Sequence, residues 1–210
     1  MRVLVACERS GIVREACNRL AGVTAYSCDL EPCEDGRIDY HIVGDVRDVL
    51  DDGWDAMFCF PECRYLSGSG LHWNNRGRGW EKTEAALDFA EFLWNASIPR
   101  ICLENPVGIL WRRIGRPSQS IQPYQFGHDA SKRTCLWLKN MPRLRPTKFV
   151  PGRIVTRADG STVERWANQT DSGQNRLPPG ETRSIDRART YPGIADAMAT
   201  QLLMRKRRAA

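Results

Sequence analysis

Residues 2–29, RVLVACERSGIVREACNRLAGVTAYSCD, decide the architecture. Arg2–Cys7 is a short apolar run that stops at polar residues and Gly11. Ile12–Leu20 then carries apolar residues at helical spacing, and Thr24–Cys28 is a second apolar run that ends on Asp29. Two runs too short for helices, joined by a helix, describe a strand, a crossover and a second strand parallel to the first.

The pattern continues outward from this unit. His41–Val43 reads as a third strand ending before Gly44 and Asp45, and Trp54–Phe60 as a fourth that halts at Pro61, which has no amide to give a ladder. Thr83–Asn95 predicts a helix with Ala86, Phe89, Ala90 and Leu93 on one face and Thr83 as its N-cap, and Arg100–Leu103 a fifth strand. Strands alternating with helices predict an α/β fold with a mostly parallel sheet and flanking helices.

After Gly108 the periodicity weakens. Arg112–Arg133 predicts no regular element, Thr134–Leu138 predicts a further strand, and Ile194–Met204 a closing helix behind Pro192-Gly193. Between them, Pro142–Arg189 reads as loop with a hairpin around Asp159-Gly160. The expected division is a core over 1–141, a basic segment over 142–189 that serves as a small recognition element, and a C-terminal helix over 190–210 that packs back on the core.

The 210 residues suit one domain with a modest appendage, and 41% hydrophobic with 27% charged residues excludes disordered and fibrous classes. No apolar run reaches the roughly 18 residues of a membrane span, and the opening MRVLVACERSG is too short in apolar residues for a secretory signal, so a cytosolic chain is expected. Outside an exported context the eight cysteines read as reduced thiols. A formal charge of +6, with cations crowding toward the C-terminus and its tail Met204–Arg208, favours a polyanionic partner.

In open parallel sheets ligands sit beyond the carboxyl ends of the strands. Those ends carry Glu8, Asp29, Asp45, Pro61-Glu62-Cys63 and Glu104-Asn105-Pro106. Asp29, 18 residues after Gly11, suits the two hydroxyls of a ribose, whereas a single glycine between Cys7 and Leu20 does not make a pyrophosphate-cradling loop. The pairs Cys28/Cys33 and Cys59/Cys63, with only His41, His72 and His128 to complete a set, do not have zinc spacing, and no metal is expected.

Taken in order, ACERSGIVREA, SCDL at Asp29, HIVGDV at Asp45, FPECRYLSGSG around Cys63, ICLENPVG around Glu104, QFGHDASKRTCLWL and TYPGIADAMATQ resemble the cytosine-C5 DNA methyltransferases, in particular short phage-type members. The resemblance covers most of the chain. It implies a Rossmann-like fold dependent on S-adenosylmethionine, DNA as the partner, and the cytoplasm of a bacterial or phage-infected cell as the setting. It further implies Cys63 as the nucleophile at cytosine C6 and Glu104 as the acid at N3, because C5 is too poor a nucleophile to take a methyl group unaided. Asp29, with Leu30 beside it, would hold the ribose, and Asp45, with Val46 beside it, the adenine amine. Cys7, Glu8 and Gly11 would face the methionine end, Phe60 and Pro61 would wall the pocket, Asn105 would face the substrate, and Lys132 or Arg133 would contact the target base or its phosphate.

One departure from the family pattern carries a physical consequence. Glu62 stands where most relatives have a second proline before the cysteine, and its carboxylate disfavours a thiolate at Cys63 unless Arg64 offsets it. The Asp-Pro-Pro-Tyr type tetrad of amino-nitrogen methylation is absent. Ten cations between Pro142 and Arg189, among them Arg153, Arg157 and Arg165, are candidate phosphate contacts, with Trp166, Asn168 and Gln169 as base readers. The competing readings are a weakened or inactive relative that binds DNA or protein, and an enzyme of the same chemistry acting on RNA or a free nucleotide.

Overall fold

The computed structural model describes residues 1–178 and 187–204; Arg183 and the tail cations Arg205–Arg208 lie outside the described residues. The first half is a run of parallel strands: β1 (Arg2–Ala6), α1 (Ile12–Asn18), β2 (Thr24–Asp29), β3 (His41–Val43), β4 (Ala56–Cys59), α2 (Gly68–Leu71), α3 (Glu81–Trp94) and β5 (Ile101–Pro106). The second half adds α4 (Trp111–Ile114), β6 (Gln119–Ile121), β7 (Thr134–Lys139), the hairpin β8 (Arg153–Thr156) and β9 (Thr162–Arg165), and α5 (Pro192–Ala197). The main sheet has the order β3-β2-β1-β4-β5-β7-β6, with β7 antiparallel to both of its neighbours.

β1 and β4 lie near the middle of this sheet because they can be covered on both faces. Val3–Ala6 and Ala56–Cys59 are buried without interruption, as strands between two helical layers require. Val3 and Val5 pack toward Val13, Met198 and Leu202, while Leu4 and Ala6 pack toward Leu87, Ala90 and Leu93 on α3. The alternation of strand side chains thus divides the core between the two faces.

Several expectations are corrected. α3 begins at Glu81, with Trp80 at the cap position and no side-chain cap. Thr83 is instead buried, its hydroxyl donating to the Tyr65 carbonyl at 3.1 Å and accepting from the Asn74 amide at 2.8 Å. Residues 112–133 do hold regular structure, since α4 continues through them and β6 forms against β7. The closing helix starts at Pro192 and widens into a π-helical turn over Met198–Leu203, where Arg100 donates to the carbonyls of Leu202 and Leu203. α1 looks amphipathic, yet Arg14 is wholly buried, bonded to Ser27 at 2.8 Å and to Asp35.

The hairpin lies where Asp159-Gly160 predicts it, with Gly160 at φ 80°. Its surroundings pack on the core. Trp166 is stacked on Tyr124 with ring centres 4.0 Å apart, and its indole N–H donates to the Val150 carbonyl at 2.9 Å. Asn168 clasps the backbone of Ser131 through two bonds of 2.9 Å, and Gln169 bonds Trp166 and Gly173 within the segment. The polar groups expected to read bases are therefore engaged in holding this segment down. No helix among the described residues is long and apolar enough to cross a membrane.

Candidate active site

The carboxyl ends of β1, β2, β3, β4 and β5 all open on one rim. At β1 the chain turns sharply: Cys7 has a left-handed backbone, φ 60°, and its N–H donates to the Cys28 carbonyl at 2.8 Å. Burial first, and then the carboxylates of Asp29 and Asp45 together with Cys28, push the Cys7 thiol up to about 12 against a smaller opposing pull from Arg47. Glu8 turns inward instead, accepting from the N–H groups of Val13 at 2.7 Å and Arg14 at 3.2 Å and from Ser10 at 3.1 Å, so it satisfies the N-terminus of α1. Gly11 holds the cap position of that helix at φ 72°.

Asp29 uses one carboxylate oxygen to accept from the Glu31 N–H at 3.0 Å, and Leu30 beside it is 72% exposed. Asp45 accepts from the Arg47 backbone at 2.9 Å and pairs with its guanidinium at 2.8 Å, whereas Val46 is buried in the core. A groove of about 280 Å³ has Ser10, Gly11, Asp35 and Pro192 among its walls, and none of Asp29, Leu30 and Asp45 lines it. The donor set suits an adenosyl group: an acid with an open oxygen for the ribose, an unpartnered apolar side chain to cover a purine, and a second acid beyond it.

The second half of the rim carries Cys63 and Glu104 on adjacent loops. β4 and β5 are adjacent and parallel, so the loops leaving them run side by side. Asn105 donates to the Pro61 carbonyl at 2.9 Å, and the chain after Cys63 pairs with the chain after Glu104 through Ile109 N–H to Leu66 (2.9 Å) and Gly68 N–H to Val107 (3.1 Å). The Asn105 side-chain oxygen is buried with no hydrogen-bond partner among the described residues. Glu104 and Lys132 line a recess closed by Phe60, Thr134, Thr190 and Tyr191 over Ile194 and Met198, with about 10 Å³ of room, roughly one water molecule; Cys63 is not among its walls.

Burial raises the pKa of Glu104, and Lys132 and a bond from Thr134 pull it back. Burial also raises the Cys63 thiol, followed by the Glu104 carboxylate, and Lys132 opposes both. Glu62, which is exposed, raises the thiol least. Arg64 stands over the Tyr65 ring, and the opposing positive charge comes from Lys132. Of the adjacent pair, Lys132 turns into the recess and Arg133 is exposed. The sequence reading missed Tyr191 and Thr134; the only signal for the former is its place before the Pro192-Gly193 helix start.

The remaining candidates are divided. The guanidinium of Arg153 bonds the carbonyls of Trp166 (3.2 Å) and Gln169 (3.1 Å) and the Asp171 carboxylate, and that of Arg165 bonds the carbonyls of Glu164 and Asp171 at 3.0 and 3.1 Å. Arg157 is exposed. All eight cysteines are free thiols, and no cluster of three or more metal-binding side chains occurs among the described residues.

Solved structures share this fold. Entamoeba histolytica methyltransferase EhMeth superposes with a TM-score of 0.50 at 13% identity, over 72% of this chain and 58% of that one. The fold is a methyltransferase fold. An E. coli protein described as a DNA modification methyltransferase encoded within a prophage superposes with a TM-score of 0.47 at 12% identity, over 72% of this chain and 52% of that one. The chain therefore spans somewhat over half the length of these methyltransferase-fold proteins. No protein-family model and no curated protein matches it.

Proposed function

We propose that the chain transfers a methyl group from S-adenosylmethionine to carbon 5 of cytosine in DNA, through a covalent bond to Cys63. The observation that carries this reading is that Glu104 and Lys132, which line one recess, both act electrostatically on the Cys63 thiol. Asp29 and Leu30 would hold the adenosyl end, and Asp45 its amine. S-adenosylmethionine, when bound, supplies the electrophilic methyl group.

The protein's own part is proton placement. Burial favours the neutral form of Glu104, which can donate at N3 of a cytosine flipped into the recess. A neutral Glu104 also no longer repels a thiolate, and Lys132 favours the thiolate directly. The reactive state thus has its proton on Glu104 and its negative charge on Cys63. Sγ adds to C6 as N3 accepts the proton, which makes C5 an enamine-like nucleophile; after methylation a water molecule takes the C5 proton, the C6–Sγ bond breaks to release the thiolate, and N3 returns its proton to Glu104. Because the recess holds only about one water, Thr190 and Tyr191 must shift to admit a base.

Purified protein incubated with methyl-labelled S-adenosylmethionine and, separately, DNA, RNA and deoxycytidine nucleotide tests this. Label at C5 in DNA, abolished by Cys63→Ser, is expected. Label confined to RNA or nucleotide would replace the substrate, and no label in any arm would overturn the reading in favour of a binding protein.

A further inference from the structure

We propose that Trp73, Trp80 and Trp111 form a stacking rim for the unpaired bases of a single-stranded nucleic acid; this rests on the nucleic-acid reading above and narrows it. Three indoles left 56%, 41% and 50% exposed are costly decoration for a protein that can bury such side chains, as it does with Trp54, Trp137 and Trp166.

The elements that carry the three rings are tied together. Trp73 follows α2, whose first residue donates to the Val107 carbonyl at 3.1 Å, and Trp111 opens α4 three residues beyond Gly108. Arg113 on α4 pairs with Glu84 at 2.8 Å, one turn after Trp80 at the start of α3. All three indoles thus stand on the segments of chain that leave Cys63 and Glu104.

The charge fits a phosphate chain. Residues 61–80 and 107–116 hold one acid, Glu62, against six arginines. Arg78 and Arg113 brace the loops themselves, whereas Arg64, Arg76, Arg112 and Arg116 are exposed, and Arg112 stands 5.7 Å over the Trp111 ring. A second copy of this chain would bring like charges face to face. A duplex would use the cations but hides its base faces in its own stack, which gives the indoles nothing to meet; unpaired bases offer them.

The test compares binding of a cytosine-containing single-stranded deoxyoligonucleotide and its duplex, without cofactor, to wild type, Trp73→Ala, Trp111→Ala and Phe92→Ala, an exposed aromatic elsewhere on α3, with thermal unfolding as the control for folding. Removing either indole is expected to weaken single-strand binding about fivefold to about a hundredfold, with little effect on the duplex and none on unfolding, while Phe92→Ala binds like wild type. Equal losses for duplex and single strand, no loss at all, or self-association detected by sedimentation and removed by Trp73→Ala would each overturn the rim. Methyl transfer that persists unchanged in both tryptophan variants would also overturn it while leaving the cytosine reading intact. Indole-dependent binding without any methyl transfer would overturn that reading and leave the rim.

Discussion

Asn105 donates its side-chain amide to the carbonyl of Pro61 at 2.9 Å, fastening the residue after Glu104 to the backbone two residues before Cys63. The two reacting groups therefore share a frame of backbone pairing that continues through Leu66 to Gly68 and Val107 to Ile109. Their relative position is a property of the β4 and β5 loops acting as one unit.

Gly108 is the tightest point of that unit. A Cβ there would overlap the carbonyl of Leu66 and crowd the backbone of Ser67, neither of which can rotate aside. Gly108→Ala should cost about 1 to 3 kcal/mol in a denaturant titration, as overpacking does, and should slow methyl transfer more than it weakens cofactor binding. A variant with wild-type stability and turnover would show that the loops are not coupled there.

Cys63 alkylation should follow the charges around it. Burial and Glu104 hold the thiol above the ordinary cysteine range, so its reaction with iodoacetamide, followed by peptide mapping, should still be accelerating beyond that range. At the high pH where the thiol titrates Glu104 is ionised and repels the thiolate, so Glu104→Gln should move the midpoint to lower pH; Lys132→Met removes the opposing cation and should move it higher. Shifts in the reverse directions would place these two side chains away from the thiol.

His128 should make stability depend on pH. Its Nε2 accepts from the Gly193 N–H at 2.9 Å at the start of α5, a bond only the neutral ring can make, and burial lowers its pKa while Asp196 opposes. The unfolded chain, with histidine near 6.5, therefore takes up the proton first. The stabilisation is complete above that value and is lost as pH falls through the lower native one. Urea midpoints between about pH 7.5 and 5 should decline in wild type and less steeply in His128→Asn; equal slopes would remove the assignment.

The hairpin arginines should separate in a salt series. Arg153 and Arg165 brace their own segment, so replacing them should lower the unfolding temperature, whereas exposed Arg157 can be removed without loss of structure. If Arg157 meets a phosphate, Arg157→Ala should reduce the slope of log affinity against log salt by about 0.9. An unchanged slope would release this residue from nucleic-acid contact.

The strands and acids of the rim were legible because a strand buried on both faces must be apolar throughout and must then surrender its polar residues at its end; Val3–Ala6 before Glu8 and Ile101–Leu103 before Glu104 are of this kind. β6 was not, since Gln119-Ser120-Ile121 is a short, partly polar edge whose pairing is supplied by β7, far along the chain. Thr83 reads as a cap from its residue type, but its hydroxyl answers Tyr65 and Asn74, partners that no local pattern contains. The same holds for Lys132 and Arg133: two adjacent cations on the approach to β7 are equivalent in sequence, and only the turn of the backbone sends one into the recess.

The reversed strand β7 also sets a schedule for biosynthesis. β1 to β5 can assemble once the first 106 residues have left the ribosome, but the outer edge of β5 then waits, unpaired, until residues 134–139 have emerged as well. During that interval the half-made sheet offers an unpaired ladder to any neighbouring chain, so the emergence of residues 107–133 is a step at which this protein is exposed to aggregation.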